Sequence, residues 1–118
     1  MDYLHGYRKK IASEAHLEKV ILRKWDDIFD FDHYATRLKI SSKSIVDLIG
    51  KDESSFWLIE LKFRPVRKKD VAQVKRYETD FRKNALSKHF KIKKIIIDYD
   101  HMTNKVSVYA LSKSEVGH

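Results

Sequence analysis

The 118-residue sequence contains no cysteine, a single proline and only three glycines. Without cysteine there is no disulfide scaffold and no thiolate-based zinc or redox chemistry, and an intracellular, cytoplasmic setting is expected. With so little glycine and proline there is no Gly/Ser linker, internal repeat or low-complexity tract, so one domain spanning residues 1–118 is expected. No apolar run is long enough to cross a bilayer, and Met1 to Lys10 lacks the apolar core of a secretory signal, so no membrane partner is expected. Hydrophobic residues at 42% and charged residues at 36% argue against disorder. A chain of this size buries roughly two-thirds of its unfolded surface around one core.

Positive charge is what the sequence has in excess. The formal charge is +8, concentrated in Arg64, Arg67, Lys68, Lys69, Lys75 and Arg76 and continuing through Arg82, Lys83, Lys88, Lys91, Lys93 and Lys94. Such a field attracts polyanions, and each phosphate it neutralises releases counterions, so nucleic acid is the natural candidate partner. A solvated lysine-rich surface is the alternative that charge alone leaves open. A nucleoid-associated protein, or one of viral or mobile-element origin, would fit so small and basic a chain.

Periodicity predicts the elements. Leu17, Val20, Ile21, Trp25 and Ile28 recur at helical spacing within an amphipathic helix from about Arg8 to Asp27. Tyr34, Thr36, Leu38 and Ile40 alternate as in a half-buried strand. Ser44 to Gly50 is a short apolar run interrupted by Asp47, Lys51 to Ser55 reads as a hairpin turn, and Phe56 to Phe63 is apolar except at Glu60 and Lys62. A strand apolar on both faces belongs in the middle of a covered sheet. Pro65 ends it, and Asp70 starts a helix running to about Leu86 with Val71, Val74, Tyr77 and Phe81 facing inward. Strands at Ile92 to Tyr99 and Lys105 to Leu111 complete the order αβββαββ, a mixed sheet with helices on its faces.

Within this frame one ordered set of polar residues carries chemistry. Alternation puts Glu60 and Lys62 on the face shared by Phe56 and Leu58, and Asp47 on a face with Ile45 and Ile49. The short hairpin connection then brings Asp47 beside Glu60. Two carboxylates that close repel, which raises one pKa, and a divalent cation between them reverses the penalty. Oxygen ligands favour Mg²⁺ or Mn²⁺, and no Cys/His spacing points to zinc. Lys62 would orient a water or stabilise charge developing on a phosphate. The competing reading makes Glu60 and Lys62 a same-face ion pair and Asp47 a turn residue, but charges within so apolar a strand are costly unless paired or bound. Gln73 and Tyr77, one helical turn apart, face one side. Asp70-x-x-Gln73 also spells a capping box, so Gln73 has two readings.

With these residues in place, the chain resembles the PD-(D/E)xK nuclease superfamily and, within it, the catalytic domain of NucS-type, RecB-like endonucleases. The resemblance lies in Ser44-Ile45-Val46-Asp47-Leu48-Ile49, in Trp57-Leu58-Ile59-Glu60-Leu61-Lys62 and in Gln73-Val74-Lys75-Arg76-Tyr77, with Ser13-Glu14-Ala15-His16-Leu17-Glu18 upstream. It implies a restriction-endonuclease-like αβββαβ core and metal-dependent hydrolysis of structured or single-stranded DNA. It further implies a metal held by Asp47, Glu60 and the Leu61 carbonyl, with Lys62 assisting water. Gln73 and Tyr77 would complete the site, and Glu14 would add an acid from the first helix, with Glu18 in reserve. Val46 stands where the superfamily's proline would be. NucS-type enzymes carry a further DNA-binding and dimerisation domain, and a 118-residue chain is expected to hold the catalytic core alone. A dimeric enzyme akin to Holliday-junction resolvases, or a nuclease fold that only binds nucleic acid, are the alternatives, and a homodimer fits the first. Asp98-Tyr99-Asp100-His101 is read as strand end and turn rather than metal ligands, Asp26, Asp27, Asp30 and Asp32 as a solvated acidic loop, and Trp25 and Trp57 as core.

Overall fold

Ser13 sits in extended backbone, and its hydroxyl accepts from His16 N at 3.1 Å, so helix α1 starts here and spans Glu14–Arg23. The computed structural model describes residues 10–84 and 87–111, so Arg8 and Lys9 of the expected helix lie outside the described residues. At Lys24 the helix breaks, and Trp25–Ile28 forms a separate turn, α2. The single helix expected through Asp27 is therefore two, because Lys24 leaves helical geometry while Trp25 turns to the core.

Strands β1 (Asp32–Ser41), β2 (Ser44–Lys51) and β3 (Ser55–Lys62) form an antiparallel meander. Helix α3 (Lys68–Phe81) then crosses over, laying β4 (Lys91–Asp100) parallel to β3, and β5 (Lys105–Leu111) returns antiparallel. The strand order is β1-β2-β3-β4-β5. The mixed α/β architecture is the one the sequence predicts, with α2 added. Helix α3 starts two residues before Asp70 and ends at Phe81, short of the expected Leu86: Arg82 caps it and Lys83 and Asn84 turn away, while residues 85 and 86 lie outside the described residues. Among the described residues no helix is long and apolar enough to cross a membrane.

Two apolar layers flank the sheet. On one face Leu17, Val20, Ile21 and Trp25 cover Leu48, Ile59, Leu61, Ile95 and Ile97; on the other Val74, Tyr77 and Phe81 cover Val46, Ile49, Phe56, Leu58 and Ile96. Each such side chain contributes about 1.5–3 kcal/mol by leaving water, which makes the positions of β3 and α3, and of anything they carry, rigid. Trp25 belongs to this core, and half-buried Trp57 stacks on Phe31 with ring centroids 4.3 Å apart. Gly50 lies beneath that stack, where a Cβ would collide with the Phe31 ring. The loop after β3 is tied down by Asp98, buried within β4, whose Oδ2 accepts from Val66 N at 2.9 Å. Asp26, Asp27, Asp30 and Asp32 are exposed, as expected of a solvated patch.

Candidate active site

β2 and β3 stay in register from Lys51↔Phe56 to Leu48↔Ile59. Beyond that pair the Leu61 N–H bonds to a side chain, donating to Asp47 Oδ2 at 2.8 Å. Packing records the same interruption. Val46 and Ile49 both lie in the α3-side cluster, although regular alternation would put them on opposite faces. Asp47 therefore does not simply share a face with Ile45 and Ile49: Ile45 is exposed, Ile49 is buried, and Asp47 occupies the irregular stretch between them.

The sequence expectation that matters does hold geometrically, since Asp47 and Glu60 come together. Burial, and next the negative charge of Glu60, push the Asp47 carboxyl up to about 7, against the opposing pull of the Leu61 N–H. Glu60 is only 4% exposed, and both of its oxygens are engaged. Tyr77 donates its hydroxyl to Oε1 at 3.1 Å, and the Lys62 ammonium lies 2.9 Å from Oε2. Lys62 also donates to Gln73 Oε1 at 3.1 Å, and Gln73 Nε2 donates to the Tyr77 hydroxyl at 2.8 Å. Glu60, Lys62, Gln73 and Tyr77 thus close a ring of polar contacts between β3 and α3. Burial, then the charge of Glu60, push the Tyr77 hydroxyl up, so it stays a protonated donor at neutral pH.

This ring removes the helix-cap reading of Gln73. Arg67 is the residue before α3, and Asp70, in its first turn, accepts from Arg67 N at 2.7 Å. Gln73 is one turn further in and spends its amide on Lys62 and Tyr77, so it does not close the helix start; the Asp70 carboxylate does, accepting from Arg67 N. Asp70 is also the residue that sequence reasoning missed as more than a cap. It is 1% exposed, takes a two-pronged contact from Arg64 at 2.8 and 2.9 Å, and lies 3.7 Å from the Lys62 ammonium. The Arg64 hydrogen bonds hold its carboxyl down at about 2. A basic residue six positions upstream across a proline was the available signal.

The first-helix acids separate cleanly. Glu18 is held by Arg37, with Nη1 to Oε1 at 2.6 Å, across to β1. Glu14 feels the site instead: burial and then Asp47 raise its pKa, while Lys62 and Arg64 oppose them. Of the residues expected to contact nucleic acid, Arg64 is committed to Asp70, Arg67, Lys68 and Lys69 are exposed around the start of α3, and Lys75 and Arg76 follow further along it, half-buried and exposed. Among the described residues no three His, Cys, Asp or Glu side chains are grouped to hold a metal ion. The Asp47–Glu60 pair still suits a hard divalent cation chemically, because it offers oxygen donors whose second charge is unfavourable until positive charge arrives.

A family model described as the endonuclease NucS C-terminal domain matches residues 13–108. The fold is similar to the crystal structure of a repair endonuclease from Pyrococcus abyssi, with a TM-score of 0.62 and 22% identity over 80% of this chain and 41% of that one. It is also similar to EndoMS in a structure with double-stranded DNA, with a TM-score of 0.60 and 23% identity over 76% of this chain and 38% of that one. The chain therefore spans about two-fifths of the length of both. No curated protein sequence gives a significant match.

Proposed function

The chain belongs to the family of endonuclease NucS C-terminal domains, and from that premise we propose that it is a metal-dependent DNA endonuclease domain with a PD-(D/E)xK-type centre at Asp47, Glu60 and Lys62. The observation that carries this reading is the pairing of two carboxylates where β2 and β3 part, one of them pushed up to about 7 by burial and by the other. Asp47, Glu60 and the Leu61 carbonyl would hold Mg²⁺ or Mn²⁺, which when bound supplies a hydroxide-like water near neutral pH and polarises a phosphoryl oxygen.

The protein's own groups do the rest. Lys62, tethered by Glu60 and Gln73, offers a fixed cation to the attacking water or to a phosphate oxygen as charge builds there. Tyr77 and Gln73 fix the Glu60 carboxylate in one orientation. Glu14, at the rim, adds negative charge on the α1 side and would help hold water there. Arg67, Lys68 and Lys69 draw the sugar-phosphate backbone toward the start of α3, next to the Lys62 end of the ring. Water adds to phosphorus and one P–O ester bond breaks; the water gives up a proton to solvent and the departing sugar oxygen takes one up, leaving a phosphate monoester and a free hydroxyl. The relative solved with double-stranded DNA supports DNA as the polymer. A second copy of the chain would enlarge the DNA contact of so small a domain.

The test is incubation with plasmid, single-stranded and branched DNA in Mg²⁺ or Mn²⁺. Cleavage by the wild type and a loss of about 100-fold or more in Glu60→Gln are expected. If the wild type cuts none of these, or Glu60→Gln cuts equally well, the proposal fails. Paired cuts in a four-way junction by a dimer would place it with the resolvase-like alternative.

A further inference from the structure

We propose that Asp70 is a positioning residue for Lys62: its buried carboxylate is the second anion that keeps the ammonium in the site, and Arg64 sets how strongly it pulls. The geometry stands on its own, whereas its consequence for catalysis rests on the nuclease reading above.

Asp70 is more elaborate than a helix cap requires. Capping α3 needs only the bond from Arg67 N, and an exposed carboxylate can make it. Here the carboxylate is 1% exposed, and a buried charge is costly unless other groups satisfy it. Arg64 does so with both guanidinium nitrogens. The remaining neighbour is Lys62, whose ammonium is 3.7 Å from Oδ1, the same oxygen that accepts from Arg64 Nη2. Arg64 and Lys62 thus compete for one carboxylate oxygen.

Lys62 accordingly sits between two anions, nearer to Glu60 at 2.9 Å than to Asp70 at 3.7 Å, with Gln73 fixing a third direction. A lysine on a flexible four-carbon stem, 19% exposed, is easily lost to water when one anchor weakens. Glu60 is the anchor that would be drawn elsewhere during the proposed reaction. Asp70 cannot be, because it is buried, bonded to the backbone and gripped by Arg64. It therefore keeps Lys62 in place when Glu60 is otherwise engaged.

The competition gives two variants with opposite expectations. Asp70→Asn keeps an acceptor for Arg67 N but removes the charge; Arg64→Gln leaves the charge and removes the competitor. The measurement is the acylation rate of Lys62 by an N-hydroxysuccinimide ester on metal-free protein, read by mass spectrometry against exposed Lys105. Asp70→Asn should speed Lys62 modification by about 2- to 5-fold, and Arg64→Gln should slow it by a similar factor. A purely structural role for Asp70 predicts the same direction in both variants or no change, and either result overturns the proposal. If circular dichroism shows that Asp70→Asn does not fold, Arg64→Gln decides alone: slower modification supports the proposal, unchanged or faster modification refutes it. In cleavage assays Asp70→Asn should lower kcat about 10-fold with KM for DNA little changed. Opposite labelling shifts in a protein that cuts no DNA would keep the positioning role and sink the nuclease reading; DNA cleavage without those shifts would do the reverse.

Discussion

Replacing Asp47 with asparagine should make the metal-free protein more stable, and increasingly so as pH rises. The Asp47 carboxyl is pushed from 3.8 up to about 7 by burial and by Glu60. A raised folded-state pKa means that the native protein binds a proton the unfolded chain has released between those two values. The carboxylate therefore imposes no cost below about pH 4, and stability is lost progressively as pH rises toward 7. The whole displacement corresponds to about 4 kcal/mol. Relaxation around the buried carboxylate takes back part of it, and asparagine keeps an acceptor for the Leu61 N–H at the cost of a poorer bond. About 1–2 kcal/mol should survive, or about 4–8 °C in Tm for a domain of this length. The assay is thermal unfolding by circular dichroism in EDTA, wild type against Asp47→Asn, at pH 4, 6 and 8. The gain should be largest at pH 8 and vanish near pH 4, and Mg²⁺ or Mn²⁺ should stabilise only the wild type. A variant less stable than wild type at pH 8, or a difference that ignores pH, would refute the reasoning.

Tyr77→Phe removes the hydroxyl between Gln73 and Glu60, and should cost about 1–3 kcal/mol in denaturant unfolding because buried partners lose a bond. The same variant should lower cleavage about 10-fold, mostly in kcat, by loosening Glu60. Gly50→Ala pushes a methyl group into the Phe31 ring and should cost about 1–3 kcal/mol, visible as a lower Tm; an unchanged Tm would mean that the Phe31–Trp57 stack yields freely. Arg64→Gln should lower the denaturant midpoint at pH 6, because the Asp70 carboxylate loses both of its guanidinium hydrogen bonds. Asp70 is held down at about 2, so that difference should persist above about pH 4 and disappear as pH falls toward 2, when the carboxylate is protonated in the native protein as well.

The meeting of Asp47 with Glu60 was legible because strand alternation and a short turn are local rules, and because unpaired acids in apolar strands ask for an explanation. The αβββαββ order was legible for the same reason, down to the crossover at α3. The break at Lys24 was not, since Trp25 and Ile28 continue the helical spacing across it. Nor could sequence choose between Glu14 and Glu18. Glu18 is taken up by Arg37, whose φ of 50° lies outside ordinary strand geometry, in a strand 19 residues away, a contact no periodicity encodes. Asp70 was hidden by being a good helix-start residue in its own right: a residue with a sufficient local explanation gives no sign that it also has a tertiary one. For Gln73 the local explanation was the wrong one, because the helix begins earlier than its acidic residue suggests.

On the proposed function, Asp47 and Glu60 share one divalent cation. Crystals soaked in Mn²⁺, measured for anomalous scattering at the manganese edge, test it most directly. A peak bonded to oxygens of both carboxylates at about 2.0–2.3 Å is predicted, and it should be absent in Glu60→Gln. A peak that ignores this pair, or no peak in a crystal where Mn²⁺ occupies other sites, would rule out the shared cation.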